Sequence, residues 1–167
     1  MGAKHGKDLE PVAETLPAYP RQPEPWPRLE IVAGDLMRKF ILILSAFYLA
    51  AIGLALMVFP LQFGVGAVPA DASPELLALL RLLGGPFLGI AILNWLSRDA
   101  EPSTASRAVL LANVVGFGAV AANDVWGVAS GEARDIARIF LVVHLAFALA
   151  FVATAYADRL GSKRPSP

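Results

Sequence analysis

The sequence predicts an all-α membrane protein: four transmembrane helices in an up-and-down bundle, preceded by a Pro-rich cytoplasmic N-terminal tail. Three observations carry this expectation. Of 167 residues, 56% are hydrophobic and only 17% are charged, where a soluble domain carries about 25% charge. The apolar residues gather into four stretches, each close to the roughly 20 residues that a helix needs to cross a bilayer. The stretches are joined by short connections, which favour antiparallel neighbours.

The tail comes first. Residues 1–27 are polar, and "LPAYPRQPEPWP" places Pro17, Pro20, Pro23, Pro25 and Pro27 within eleven positions. With few aliphatic clusters, this segment buries too little surface to offset its ordering entropy, so an extended polyproline II form is expected. Extended proline-rich segments dock at low entropic cost. Pro17, Pro20, Pro23, Pro25 and Trp26 are therefore candidate partner contacts, and the tail is a candidate strap along the cytoplasmic face of neighbouring subunits. From residue 28 to 39 the pattern changes. Leu29, Val32, Ala33, Leu36, Met37 and Phe40 recur at helical spacing, predicting a juxtamembrane amphipathic helix with Trp26 as its anchor and Gly34 as a bend.

The four spans follow. "FILILSAFYLAAIGLALMVF" covers 40–59 and stops at Pro60. The second, 76–97, begins after "DASPE", where Ser73 is placed to cap and Pro74 to open a helix. The third, 108–129, follows "EPSTASR", and Ser130 and Gly131 separate it from the fourth, 136–157. Gly161 is placed as a C-cap, and 158–167 forms a second cytoplasmic tail. A water-soluble bundle would need polar helix faces, yet the first span offers only Ser45 and Tyr48.

Loop charges orient the bundle. Eleven basic residues fall on the side of the termini and two, Arg134 and Arg138, on the other; Arg81 lies within a span. Cytoplasmic loops carry the excess of Lys and Arg, so both termini are expected inside. The first apolar run begins only near Phe40, so no cleaved signal is expected. Trp26, Trp95, Trp126 and Tyr156 fall near the interfaces. Net charge is zero, which gives no electrostatic footprint for nucleic acid. The chain has no cysteine, which removes disulfides, thiolate chemistry and Cys-ligated metal sites.

Within the spans, Gly85 and Gly89, Gly118 and Ala122, and Ala146 and Ala150 form small-xxx-small pairs suited to close helix packing. Pro86 removes one backbone hydrogen bond and is expected to kink the second span. Polar groups at membrane depth need a partner or a function. Arg81, Asp124 and Arg138 lie at similar depth near the outer surface and are expected to form an ion-pair cluster, either as a structural clasp or as a headgroup site. Asn94 and Asn113 match in depth near the inner surface, where a hydrogen bond between them would join two helices. Asn113 and Asp124 share one helix face. His144, in the middle of the fourth span, is a candidate ligand for haem or a chlorophyll-type pigment through a neutral ring nitrogen. No phosphate loop, His/Asp/Ser grouping or metal-ligand spacing is found, so no enzyme is expected.

"RLLGGPFLGIAILNWLSR", followed by a His-bearing fourth span, resembles small bacterial four-helix membrane proteins of the DoxX-like kind over roughly Phe40 to Ala157. The resemblance implies a bacterial inner-membrane protein. DoxX-type chains carry a glutamate a few residues after a glycine in the second helix, whereas no acid follows Gly85 and Gly89 here. The functional expectation is a non-catalytic accessory subunit of a larger membrane complex, respiratory or photosynthetic, in contact with lipid and with other subunits. The alternative is an independent transporter or lipid-binding protein, with bound lipid in either case.

Overall fold

The computed structural model describes residue 2 and residues 26–161. Pro17, Pro20, Pro23 and Pro25 lie outside the described residues, as does the strap they were expected to form. The described chain is all helical: α1 (Trp26–Val58), α2 (Pro60–Phe63), α3 (Pro74–Ser97), α4 (Thr104–Ser130) and α5 (Ala137–Gly161). Four of these are long and apolar enough to cross a membrane, and they form the up-and-down bundle of a multi-pass membrane protein. The juxtamembrane helix is not separate. It is the first part of α1, which runs through Gly34 without a break.

Local chemistry sets the ends. Ser73 caps α3 by accepting the Leu76 N–H at 3.3 Å, with Pro74 at the first helical position. Ser103 caps α4 reciprocally with Ser106, each side chain receiving the other's backbone N–H, which satisfies two otherwise orphaned donors. Gly131 closes α4 with φ 76°, a left-handed conformation that suits glycine. Helix α3 continues through Pro86. Pro60 follows the end of α1 and opens α2, a single turn that the apolar pattern does not separate from the loop.

The helices pair as two hairpins. Helix α1 lies along α3 and α4 lies along α5; the hairpins meet mainly through α1 and α5, with little contact between α3 and α4. The closest approach is between α1 and α3. A Cβ on Gly53 would stand 2.9 Å from the Gly84 carbonyl oxygen, and one on Gly84 would stand 2.6 Å from that of Gly53. This corrects the expected packing stripe. Gly85 and Gly89 have nothing within 4 Å of a Cβ, and neither has Gly118. Helix geometry turns each residue by about 100°, so Gly84 faces α1 and its neighbour Gly85 faces outward.

The interior is densest toward the end of the bundle where α1 enters and α5 leaves, called here the terminal end. Leu42, Leu110 and Phe151 are 2%, 1% and 0% exposed. Phe117 stacks on Phe147 at 4.6 Å and on Phe151 at 5.6 Å. Two clasps hold this end. Arg107 Nε donates to Asp158 at 3.0 Å, joining α4 to α5, and Lys39 reaches Asp99 at 2.6 Å, joining α1 to the residues after α3.

Candidate functional site

One polar layer crosses the bundle on the terminal side of its centre. Asn94 Nδ2 donates to Asn113 Oδ1 at 2.9 Å and Asn113 Nδ2 returns the bond to Asn94 Oδ1 at 2.7 Å. Asn94 Nδ2 also donates to Ser45 Oγ at 3.0 Å, and Asn113 Nδ2 to the Val109 carbonyl at 2.9 Å. Every amide N–H of both side chains is used, so two buried amides sit in an apolar core without an unpaired donor.

Toward the opposite end lies a second polar group. His144 Nδ1 is 2.5 Å from Asp124 Oδ2, and His144 Nε2 is 2.7 Å from the Tyr48 hydroxyl. With the Asp124 carboxylate as acceptor, Nδ1 carries the proton of that bond, and the Tyr48 hydroxyl pairs with Nε2. Asp124, His144 and Tyr48 come from α4, α5 and α1. This Tyr/His/Asp set was not among the sequence expectations: 96 positions separate Tyr48 from His144, and only the fold joins them.

The chain borders a cavity of about 360 Å³. Tyr48, Asn113, Asp124 and His144 contribute its polar wall, Arg134 stands at its far rim, and Phe63, Phe87, Phe117 and Phe140 are among its aromatic walls. Phe87 and Ile90 of α3 and Ala112, Gly116 and Val120 of α4 line it on the side where those two helices touch little. Ile90 is 41% and Val120 37% exposed. These exposed lining positions fall within helices long and apolar enough to cross a membrane. At the far end, Arg134 Nη1 donates to the carbonyls of Phe63 at 3.0 Å and Val65 at 2.6 Å, tying the α4–α5 turn to α2. The Asn pair and the Leu42–Leu110–Phe151 layer close the terminal side.

Two expectations about polar residues change. Arg81 and Arg138 are exposed and form no ion pair with Asp124. Depth was matched but direction was not: Arg138 precedes His144 by six residues, about 120° away around α5. His144 does not fit haem or pigment ligation either. Its Nδ1 is held by Asp124 and its Nε2 by Tyr48, so no ring nitrogen is left to face a metal. Trp26 opens α1, while Trp95, Trp126 and Tyr156 are 41%, 69% and 64% exposed, consistent with interfacial positions.

Sequence reasoning missed Ser45, Tyr48, Gly53 and Gly84 as functional or packing positions. A signal was present for two of them. Ser45 and Tyr48 are the polar side chains of an otherwise aliphatic and aromatic span and lie three apart, which places them on one side.

Fold and site together define a multi-pass membrane protein with a cavity that combines polar and aromatic walls. No protein family, curated protein or solved structure matches the chain.

Proposed function

We propose that this chain is a bacterial inner-membrane protein, with both termini cytoplasmic, that binds a largely apolar small molecule or lipid without transforming it. The observation that carries this reading is the cavity of about 360 Å³, with the Tyr48–His144–Asp124 chain on its wall and exposed lining residues on two apolar spans. Ligand sites are typically apolar concavities with a few fixed polar groups, and about 300–1,000 Å³ is their usual range. The uneven distribution of basic residues between the loops supports the orientation.

Gly116 provides the test. It lines the cavity, and a Cβ placed there would have nothing within 4 Å, so Gly116→Phe fills the space without meeting backbone. Native mass spectrometry of protein extracted in mild detergent is expected to show a bound small molecule or lipid on the wild type and its loss from Gly116→Phe. The same adduct on both proteins would overturn the reading.

A second reading, an accessory subunit of a larger membrane complex, is favoured by one separate observation. The outward glycines Gly85 and Gly89 leave a low surface on α3 against which a partner helix can approach closely. The same spectra test it: a fixed multi-subunit assembly supports it and an isolated chain sinks it.

A further inference from the structure

We propose that the cavity selects a lipophilic organic cation, an amine or quaternary ammonium carried on an apolar body, with its positive centre beside Asp124. This rests on the ligand-binding reading above and adds the ligand's charge.

The first observation is a carboxylate with one oxygen left open. The Asp124 side chain is 15% exposed and lies on the cavity wall. Its Oδ2 is bonded to His144, and among the described residues Oδ1 accepts no hydrogen bond. Among those residues no Lys or Arg pairs with it; the other described acids in ion pairs, Asp35, Asp99 and Asp158, are met by Arg38, Lys39, Arg98 and Arg107 at the terminal end. A carboxylate at membrane depth is costly unless it is paired. His144 holds Asp124 in place through Oδ2 alone and leaves Oδ1 without a donor among the described residues.

The second observation is the lining. Tyr48, Phe63, Phe87, Phe117 and Phe140 all border the same space. Aromatic faces attract a cation, and more strongly where water is excluded. An anionic ligand would meet Asp124 as a like charge, and a neutral one could at most donate a hydrogen bond to the free oxygen without balancing a carboxylate's charge. An ammonium group satisfies both the carboxylate and the rings.

The third observation concerns the cation on the cavity's edge. Arg134 is tied through Nη1 to the Phe63 and Val65 carbonyls, so its charge is held at the far rim. From there it repels a cation arriving along the bundle axis, which leaves the gap between α3 and α4 as the favoured route.

The test compares benzyltrimethylammonium with neopentylbenzene, its neutral carbon isostere, by equilibrium dialysis against the full chain in lipid nanodiscs, with empty nanodiscs as blank. The wild type is expected to bind the cation at least about tenfold more tightly than the isostere. Asp124→Asn is expected to remove that preference while keeping the neutral probe. Equal affinity of the wild type for both probes, or an unchanged preference in Asp124→Asn, would overturn the proposal and leave the cavity reading standing. Binding of neither probe would sink both. The wild-type ratio decides the matter even where the variant does not fold.

Discussion

At the scale of single residues, the informative positions are those where a side chain has two partners. Tyr48 spans the His144 ring and the aromatic face of Phe147, whose centroid is 5.2 Å away. Tyr48→Phe removes the hydroxyl and keeps the ring. It is expected to cost about 0.5–1.5 kcal/mol, the net worth of one hydrogen bond, measured by reversible unfolding in mixed micelles. Arg134→Gln is expected to raise the affinity for benzyltrimethylammonium, because it removes the positive charge from the rim; dialysis reads the change. Asn94 shows how far residue type alone can be read. Its depth and its match to Asn113 follow from counting along two apolar stretches. The third member of that layer, Ser45, does not, because it lies 49 positions from Asn94 and only the α1–α3 packing brings it there. Arg81 and Arg138 fail for the related reason that counting gives height and not azimuth.

At the scale of elements, the α1–α3 contact is set by glycine. Adding a methyl group at Gly84 drives it against the Gly53 carbonyl, at 2.6 Å, and backbone cannot move aside as a side chain would. Gly84→Ala is therefore expected to destabilise the protein by about 1–3 kcal/mol. Gly85→Ala, one position along, meets nothing within 4 Å and is expected to fall within about 0.5 kcal/mol of wild type. The pair of variants, unfolded side by side, checks the helix azimuth directly. Sequence placed a small-xxx-small pattern on this helix but chose the wrong register. Gly84 and Gly85 are adjacent and identical, and a one-residue shift rotates the helix by about 100°. The clasp at the terminal end gives a pH prediction. The hydrogen bond from Lys39, aided by the nearby charges of Lys39 and Arg98, holds the Asp99 carboxyl below its ordinary value. A lowered folded-state value contributes stability that is complete above the unfolded pKa and is lost as pH falls through the folded one. Asp99→Asn is thus expected to lower the unfolding temperature slightly at about pH 7 and to converge on wild type as pH falls below the ordinary aspartate range. Salt should narrow the difference, since the group is solvent-accessible.

At the scale of the whole molecule, the number of spans and their order were legible because bilayer thickness imposes one length on every crossing helix. The union of α1 with its juxtamembrane segment was not, since a polar helical turn continues an apolar one without any marker in composition. The cavity was not legible either, because it arises from the unequal contact between hairpins and not from any one segment. The proposed orientation has a direct test that the composition makes simple. The chain has no cysteine, so single replacements at Ser73 and Ser97 report the two ends of α3 without background. In sealed vesicles of known sidedness, an impermeant maleimide is expected to label Ser73→Cys from outside and Ser97→Cys only after permeabilisation. The reverse pattern would invert the assignment of the termini.

The sparse seam between α3 and α4 also bears on how the protein comes together. Each hairpin has its own long internal contact, and the polypeptide passes between them only once, through residues 98–103. Membrane helices insert first and associate afterwards, so neither half needs the other to enter the bilayer. A gene cut in that loop and expressed as two polypeptides should yield halves that find one another in the membrane, their reunion guided by Tyr48 on one fragment and His144 on the other.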